Sequence, residues 1–231
     1  QVSRFVLPSK YKYQMSFLVL VTKMLVVSGL HGQRFPTKTE LIDLGRPNII
    51  CDLPDYPIQN DGAGAVGYIN AKGPTICGGT TRKRFATNEC LILSSERQRE
   101  SLTKMTTSRK YASVTQIGIE EVLIIGGEDD TGVSLRSTEI VNSYGSEASE
   151  DLPFSILYHC TLKINRTTAL ITGGRPNRQF SSDATWFVDL VSFKISQGPR
   201  LQTGRESHGC TALNLGGKSY AVISGGSQWT G

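Results

Sequence analysis

Val122-Leu-Ile-Ile-Gly-Gly127, four apolar residues closed by two glycines, decides how this chain is read. The arrangement returns at Pro74-Thr-Ile-Cys-Gly-Gly79, Ala169-Leu-Ile-Thr-Gly-Gly174 and Tyr220-Ala-Val-Ile-Ser-Gly-Gly226. Upstream, Met24-Leu-Val-Val-Ser-Gly29 keeps the second glycine only. Second glycines of successive units stand 50, 48, 47 and 52 residues apart. A short continuous apolar run suits a strand covered on both faces. Glycine behind it suits a sharp exit that needs positive φ, so Gly29, Gly78, Gly79, Gly126, Gly127, Gly173, Gly174, Gly225 and Gly226 are expected to be structural. Some ten residues further on come Thr39-Glu40-Leu41, Asn88-Glu89-Cys90, Thr138-Glu139-Ile140 and the degenerate Ala184-Thr185-Trp186. Self-similarity at a period near 50 means one supersecondary unit repeated along the chain.

With those glycines, lead-in strands and Thr-Glu positions, the sequence resembles kelch-repeat β-propellers, whose repeat is one four-stranded antiparallel blade. The resemblance covers nearly the whole chain. It implies an all-β fold with about four and a half blades in one incomplete domain over 1–231, with units at about 15–55, 60–105, 108–153, 156–200 and 205–231. The arc is expected to be a fragment of a six- or seven-bladed propeller. Inner strands are expected at Phe17–Val21, Ala65–Ile69, Ala112–Ile117, His159–Ile164 and Gly209–Leu215. Third strands are expected at Thr39–Asp43, Glu89–Leu93, Thr138–Asn142 and Thr185–Leu190, and outer strands around Asn48–Cys51, Leu102–Met105, Glu147–Leu152 and Phe193–Ser196. Ile50, Phe154 or Phe193 stands in for the tryptophan that many kelch repeats carry near the outer strand.

Residues 15–29 also have the apolar core and small end of a signal peptide. Lys23, however, falls where a turn belongs, as Glu120 and Arg166 do in later units, so a first-blade hairpin is preferred. The stretch is too short and too charged for a membrane-spanning helix, and no membrane insertion is expected. Hydrophobic residues make up 38% and charged residues 19% of the chain. With a formal charge of +5 and no like-charge run beyond Arg82-Lys83-Arg84, nucleic acid is not an expected partner.

Three motifs suggest chemistry and do not carry it. Gly62-Ala-Gly64-Ala-Val-Gly67 spells a dinucleotide fingerprint, but the repeat places it on an inner strand rather than ahead of a helix. His31, His159 and His208 show no metal-ligand spacing, and the cysteines contain no CxxC pair. The copper set of galactose oxidase, which uses the same scaffold, has no local counterpart here. Neither a metal nor another cofactor is expected.

Arg109 and Arg205 sit just ahead of two inner strands. In kelch substrate adaptors, arginines in that loop grip acidic peptides at the channel mouth through forked hydrogen bonds. Arg34, Arg82, Arg84, Arg175 and Arg178 stand in glycine loops expected on the same face, with Glu128, Asp129 and Asp130 as the acidic exception. The expected binding set is Arg109, Arg205, Arg82, Arg84, Arg175 and Arg178.

Cys77 and Cys90 flank one hairpin loop symmetrically, which brings them opposite each other within disulfide range. Cys160 and Cys210 share one register in their inner strands. Together with Cys51-Asp-Leu-Pro-Asp-Tyr-Pro57, the cysteines resemble those of secreted-type invertebrate kelch proteins. Asn165-Arg-Thr167 is a glycosylation sequon for an exported chain. Extracellular placement is therefore slightly favoured over a cytoplasmic one. The leading function is a non-catalytic interaction module presenting a loop-lined face to a protein or glycan. A cytosolic ubiquitin-ligase adaptor and a galactose oxidase-like copper enzyme are the alternatives.

Overall fold

The computed structural model describes residues 16–20, 23–27, 39–43, 50–53, 64–69, 73–80, 85–93 and 99–230. Among them every regular element is a strand. The first sheet runs β1 (Ser16–Leu20), β2 (Lys23–Val27), β3 (Thr39–Asp43) and β4 (Ile50–Leu53) in spatial order. The second is β5 (Gly64–Ile69), β6 (Gly73–Cys77), β7 (Glu89–Leu93) and β8 (Arg99–Lys104). The third is β9 (Ser113–Gln116), β10 (Val122–Ile125), β11 (Thr138–Asn142) and β12 (Gly145–Ala148). A two-stranded ribbon of β13 (Ile156–Leu157) and β16 (Arg175–Pro176) frames the fourth sheet. That sheet comprises β14 (Cys160–Lys163), β15 (Thr168–Thr172), β17 (Thr185–Asp189) and β18 (Ile195–Gln197). The hairpin β19 (Gly209–Leu215) and β20 (Lys218–Ser224) follows.

All pairings are antiparallel, and β1, β5, β9, β14 and β19 contact one another in succession, which makes them the innermost strands. β1 and β2 pair antiparallel, with Lys23 opening β2 opposite Leu20 rather than lying in a turn. The dinucleotide-like glycines Gly64 and Gly67 lie on β5.

The apolar run of β10 divides its side chains between two cores. Val122 and Ile124 pack with Cys77, Cys90 and Met105 of the preceding blade. Leu123 and Ile125 pack with Ala169, Ile171 and Val188 of the following one. Period-2 alternation thus buries both faces, and the hydrophobic core consists of layers between blades. Phe154 and Phe193 both pack into the second layer beside Trp186, with the Phe154 and Trp186 rings 4.6 Å apart.

All four outer strands are shifted from their expected positions: the first runs Ile50–Leu53 and the fourth Ile195–Gln197, while the second ends at Lys104 and the third at Ala148. The apolar residues that suggested strand there, Met105 and Leu152, instead follow it and turn inward at 2% and 1% exposure. An outer strand covered on one side only carries a faint pattern, and the inward anchor of the next loop outweighs it.

The glycine pairs do more than turn. Gly79 donates to the Arg109 carbonyl at 2.9 Å, Gly127 to Ile156 at 2.8 Å and Gly174 to Arg205 at 2.8 Å. Each of these three second glycines is therefore hydrogen-bonded to the lead-in of the next blade. At Gly127, with φ of 96°, a Cβ would stand 2.6 Å from the Lys110 oxygen. Positive φ and close approach both exclude a side chain there. Gly78, Gly126, Gly173, Gly225 and Gly226 likewise adopt positive φ, whereas Gly29 lies outside the described residues.

Cys77 and Cys90 are register partners on β6 and β7, at disulfide distance with S–S 2.08 Å. A second pair, Cys160–Cys210, joins the inner strands of adjacent blades with Cα atoms 6.0 Å apart. Cys77 and Cys90 are fully buried, while Cys160 and Cys210 are partly exposed. Graded reduction under native conditions should therefore open Cys160–Cys210 first and leave Cys77–Cys90 closed until unfolding. Alkylation followed by peptide mass mapping reads the order, and simultaneous opening would contradict it.

Candidate functional site

Three successive blades enter their inner strands in the same unusual way. Tyr111, Tyr158 and Ser207 take φ of 60°, 59° and 52°, a left-handed conformation that L-residues avoid. Each stands two residues before its inner strand. Tyr158 N donates to Tyr111 O at 3.1 Å and Ser207 N to Tyr158 O at 2.8 Å. A backbone hydrogen-bond chain thus links the blades at the glycine-loop end of the inner strands and offsets the strain, on the order of 1–3 kcal/mol per residue. Repeated strain at one rim is where a binding surface is to be sought.

The residue before each of these pairs across to the one behind the glycines: Lys110 with Glu128, Leu157 with Arg175, and Glu206 with Ser227. Charged side chains from different blades are brought together this way. Arg175 presents Nε and Nη2 to the Glu206 carboxylate, with Nη2–Oε1 at 2.6 Å. Ser181 Oγ donates to the same carboxylate at 2.8 Å and accepts from Trp229 N at 2.8 Å. The guanidinium carbon lies 4.4 Å from the Trp229 ring centroid and 5.3 Å from that of Tyr158. Hydrogen bonding to Glu206 holds Arg175 above its ordinary pKa. The Tyr111 and Tyr158 rings lie 4.5 Å apart at a tilt of 40°, and Trp229 meets exposed Phe180 at 5.9 Å. At the neighbouring blade, Glu128 accepts Lys110 at 3.2 Å and Arg178 at 3.1 Å. The face is thus a set of aromatic rings bordered by neutralised acid–base pairs.

The expected arginine set divides. Arg175 and Arg178 reach this rim. Arg205 lies beside it, with Nη1 donating to Gly225 O at 3.0 Å. Arg82 and Arg84, like Arg34, lie outside the described residues. Arg109 is not presented to a partner: it is 1% exposed and donates to Gly126 O, Ser137 O, Ser137 Oγ and the Glu139 carboxylate. The carbonyls just past β10 and just before β11, with the acid on β11, converge on that point and draw the guanidinium inward. Arg109 and Arg205 do share one device, a bond to the first glycine's carbonyl of their own blade.

Sequence reasoning missed Tyr111, Tyr158, Trp229 and Glu206. Aligning the repeats on the inner strand would have superposed Tyr111, Tyr158 and Ser207, but nothing in a tyrosine announces positive φ. His159 and His208 follow at the next position and turn into the wall, both 7% exposed. Among the described residues no group of three histidine, cysteine or acidic side chains is arranged to hold a metal ion.

Four-stranded antiparallel sheets meeting along their first strands, with loops gathered at one mouth, define a β-propeller-like fold. No family model matches the chain, and no curated protein matches it significantly. Among solved structures, YjhT is similar, with a TM-score of 0.74 over 90% of this chain and 71% of that chain, at 9% identity. At such identity the likeness speaks for architecture alone.

Proposed function

We propose that the chain is a non-catalytic interaction module of the kelch type, exported from the cell, that receives a protein or glycan partner at the glycine-loop mouth. The observation that carries this reading is the aromatic group Tyr111, Tyr158 and Trp229 set around the Arg175–Glu206 fork. Rigid rings need little ordering on binding, and aromatic residues and arginines dominate binding energies. The arginines at this rim are already matched by acids, so hydroxyl-bearing or mixed-charge partners suit it better than strongly acidic ones. Two disulfide pairs support the extracellular placement.

The test is a binding screen of immobilised glycans and of acidic and neutral peptides with wild type, Trp229→Ala and Tyr158→Ala. Trp229 is 43% exposed, so its replacement should leave the melt in place. Affinity for any bound class should fall tenfold or more, about 1.4 kcal/mol. Undiminished affinity in both well-folded variants would remove the mouth as the site.

A further inference from the structure

Asn165-Arg-Thr167 is the single Asn-x-Ser/Thr triplet in the sequence. It occupies the turn from β14 to β15, and β15 runs from there to Gly173 and Gly174. The turn consequently lies at the end of the blade opposite the aromatic mouth. Asn165, Arg166 and Thr167 are all exposed. The backbone around them is fixed: Ile164 N and Asn165 N donate to Thr168 O at 3.0 and 3.3 Å, and Leu190 N donates to Thr167 O at 2.7 Å. Asn165 Oδ1 accepts Thr167 N at 2.9 Å and Thr167 Oγ1 at 3.3 Å. The carbonyl side of the amide is thereby tied to the sequon hydroxyl, and among the described residues no group bonds Nδ2.

A second observation concerns the neighbouring turn. Lys163 Nζ donates to Ile117 O, which sets the β9–β10 turn beside this one. That turn carries Ile119 at 87% exposure, an apolar side chain with no cover. A third is the pair of disulfides, which form in the compartment where asparagine-linked glycans are added.

We infer that Asn165 is the attachment point of an N-linked glycan that covers Ile119 and leaves the mouth face open. The donor is a lipid-pyrophosphate-linked oligosaccharide. A bond forms from Nδ2 to the anomeric carbon as the bond from that carbon to the pyrophosphate oxygen breaks. Nδ2 releases one proton, the lipid pyrophosphate departs, and no oxidation occurs. Thr167 is the recognition element, so its hydroxyl rather than its methyl is required.

The experiment directs the chain into the endoplasmic reticulum of a eukaryotic cell behind a supplied leader and measures the mass of the translocated protein. One oligosaccharide is expected, removed by peptide N-glycosidase with conversion of Asn165 to aspartate. Asn165→Gln and Thr167→Ala should lack it, and Thr167→Ser should keep it. The glycosidase-treated protein should bind a hydrophobic dye more strongly than the glycosylated one. Translocated protein with both disulfides closed and Asn165 unmodified overturns the assignment, as does a glycan that survives Asn165→Gln.

Discussion

Replacing Arg109 by alanine should destabilise the protein by about 3–5 kcal/mol, the cost of leaving a buried charge without its partner. For a domain of this size that lowers the melting temperature by roughly 6 to 20 °C. The partner is Glu139, also 1% exposed, whose carboxylate further accepts Thr106 N at 2.7 Å, Thr107 N at 3.1 Å and Ser146 Oγ at 2.8 Å. Burial lowers the pKa of Arg109 against the pull of Glu139. Burial also raises that of Glu139, but Arg109 and these hydrogen bonds outweigh it and leave the acid below its ordinary value. The pair is ionised and ties the second blade's exit to β10 and β11.

The chain itself contains the control. In the next blade the Arg109 position is Ile156 and the Glu139 position, second on the third strand, is Trp186, and these two pack in one apolar cluster. Charge pair and apolar pair are thus alternative fillings of one site. Arg109→Ile with Glu139→Leu should consequently cost 1–3 kcal/mol less than the two single changes added together. Urea unfolding of the four proteins measures this. Additive losses would show that Arg109 acts through its carbonyl contacts and not through Glu139.

What the sequence discloses depends on how local the cause is. Gly126-Gly127 marks a blade because turn geometry and contact with the next blade both fall on adjacent residues. Cys77 and Cys90 were legible for the same reason, being symmetric about one short loop. Cys160–Cys210 required knowing that inner strands of neighbouring blades lie side by side, although their equal register was visible. The fate of Arg109 was set by Glu139, thirty residues on, and a guanidinium reads identically whether it faces water or a buried acid. The mouth was hidden further still. Tyr111 and Tyr158 look like strand residues, and interblade bonds help to hold them in a conformation that turns them onto the rim.

Stability should fall steeply as pH is lowered from 6.5 toward 4, because two histidines are buried neutral. His159 Nε2 lies 2.7 Å from Ser113 Oγ, which itself lies 2.6 Å from Thr161 Oγ1. His208 Nε2 lies 2.8 Å from Thr172 Oγ1. No protein group bonds either Nδ1, so a proton added there would be an uncompensated buried charge. Burial, with His208 adding to it, pushes His159 down to about 3. Burial, with the charge of Arg205 adding to it, pushes His208 down to about 4. The groups facing them are hydroxyls, each other and Arg205, and the one opposing influence, a hydrogen bond between His208 and Thr172, is outweighed by burial. Both folded values lie below the ordinary 6.5, so the unfolded chain takes up protons first as pH falls. The stabilisation is complete above about 6.5 and is lost progressively toward 4 and then 3. At pH 5 each histidine should have removed about 2 kcal/mol, a large part of the ~5–15 kcal/mol that holds a domain together. Glu139, depressed as a carboxylate, adds its own loss only at more acid pH. Urea titrations at pH 7.5, 6 and 5 measure the slope. His159→Gln keeps a hydrogen-bonding group for Ser113 and His208→Gln one for Thr172, and each should flatten the curve by about one proton. Wild-type midpoints that stay level from pH 7.5 to 5, or variants with undiminished slopes, would mean the imidazoles are not buried neutral in the wall.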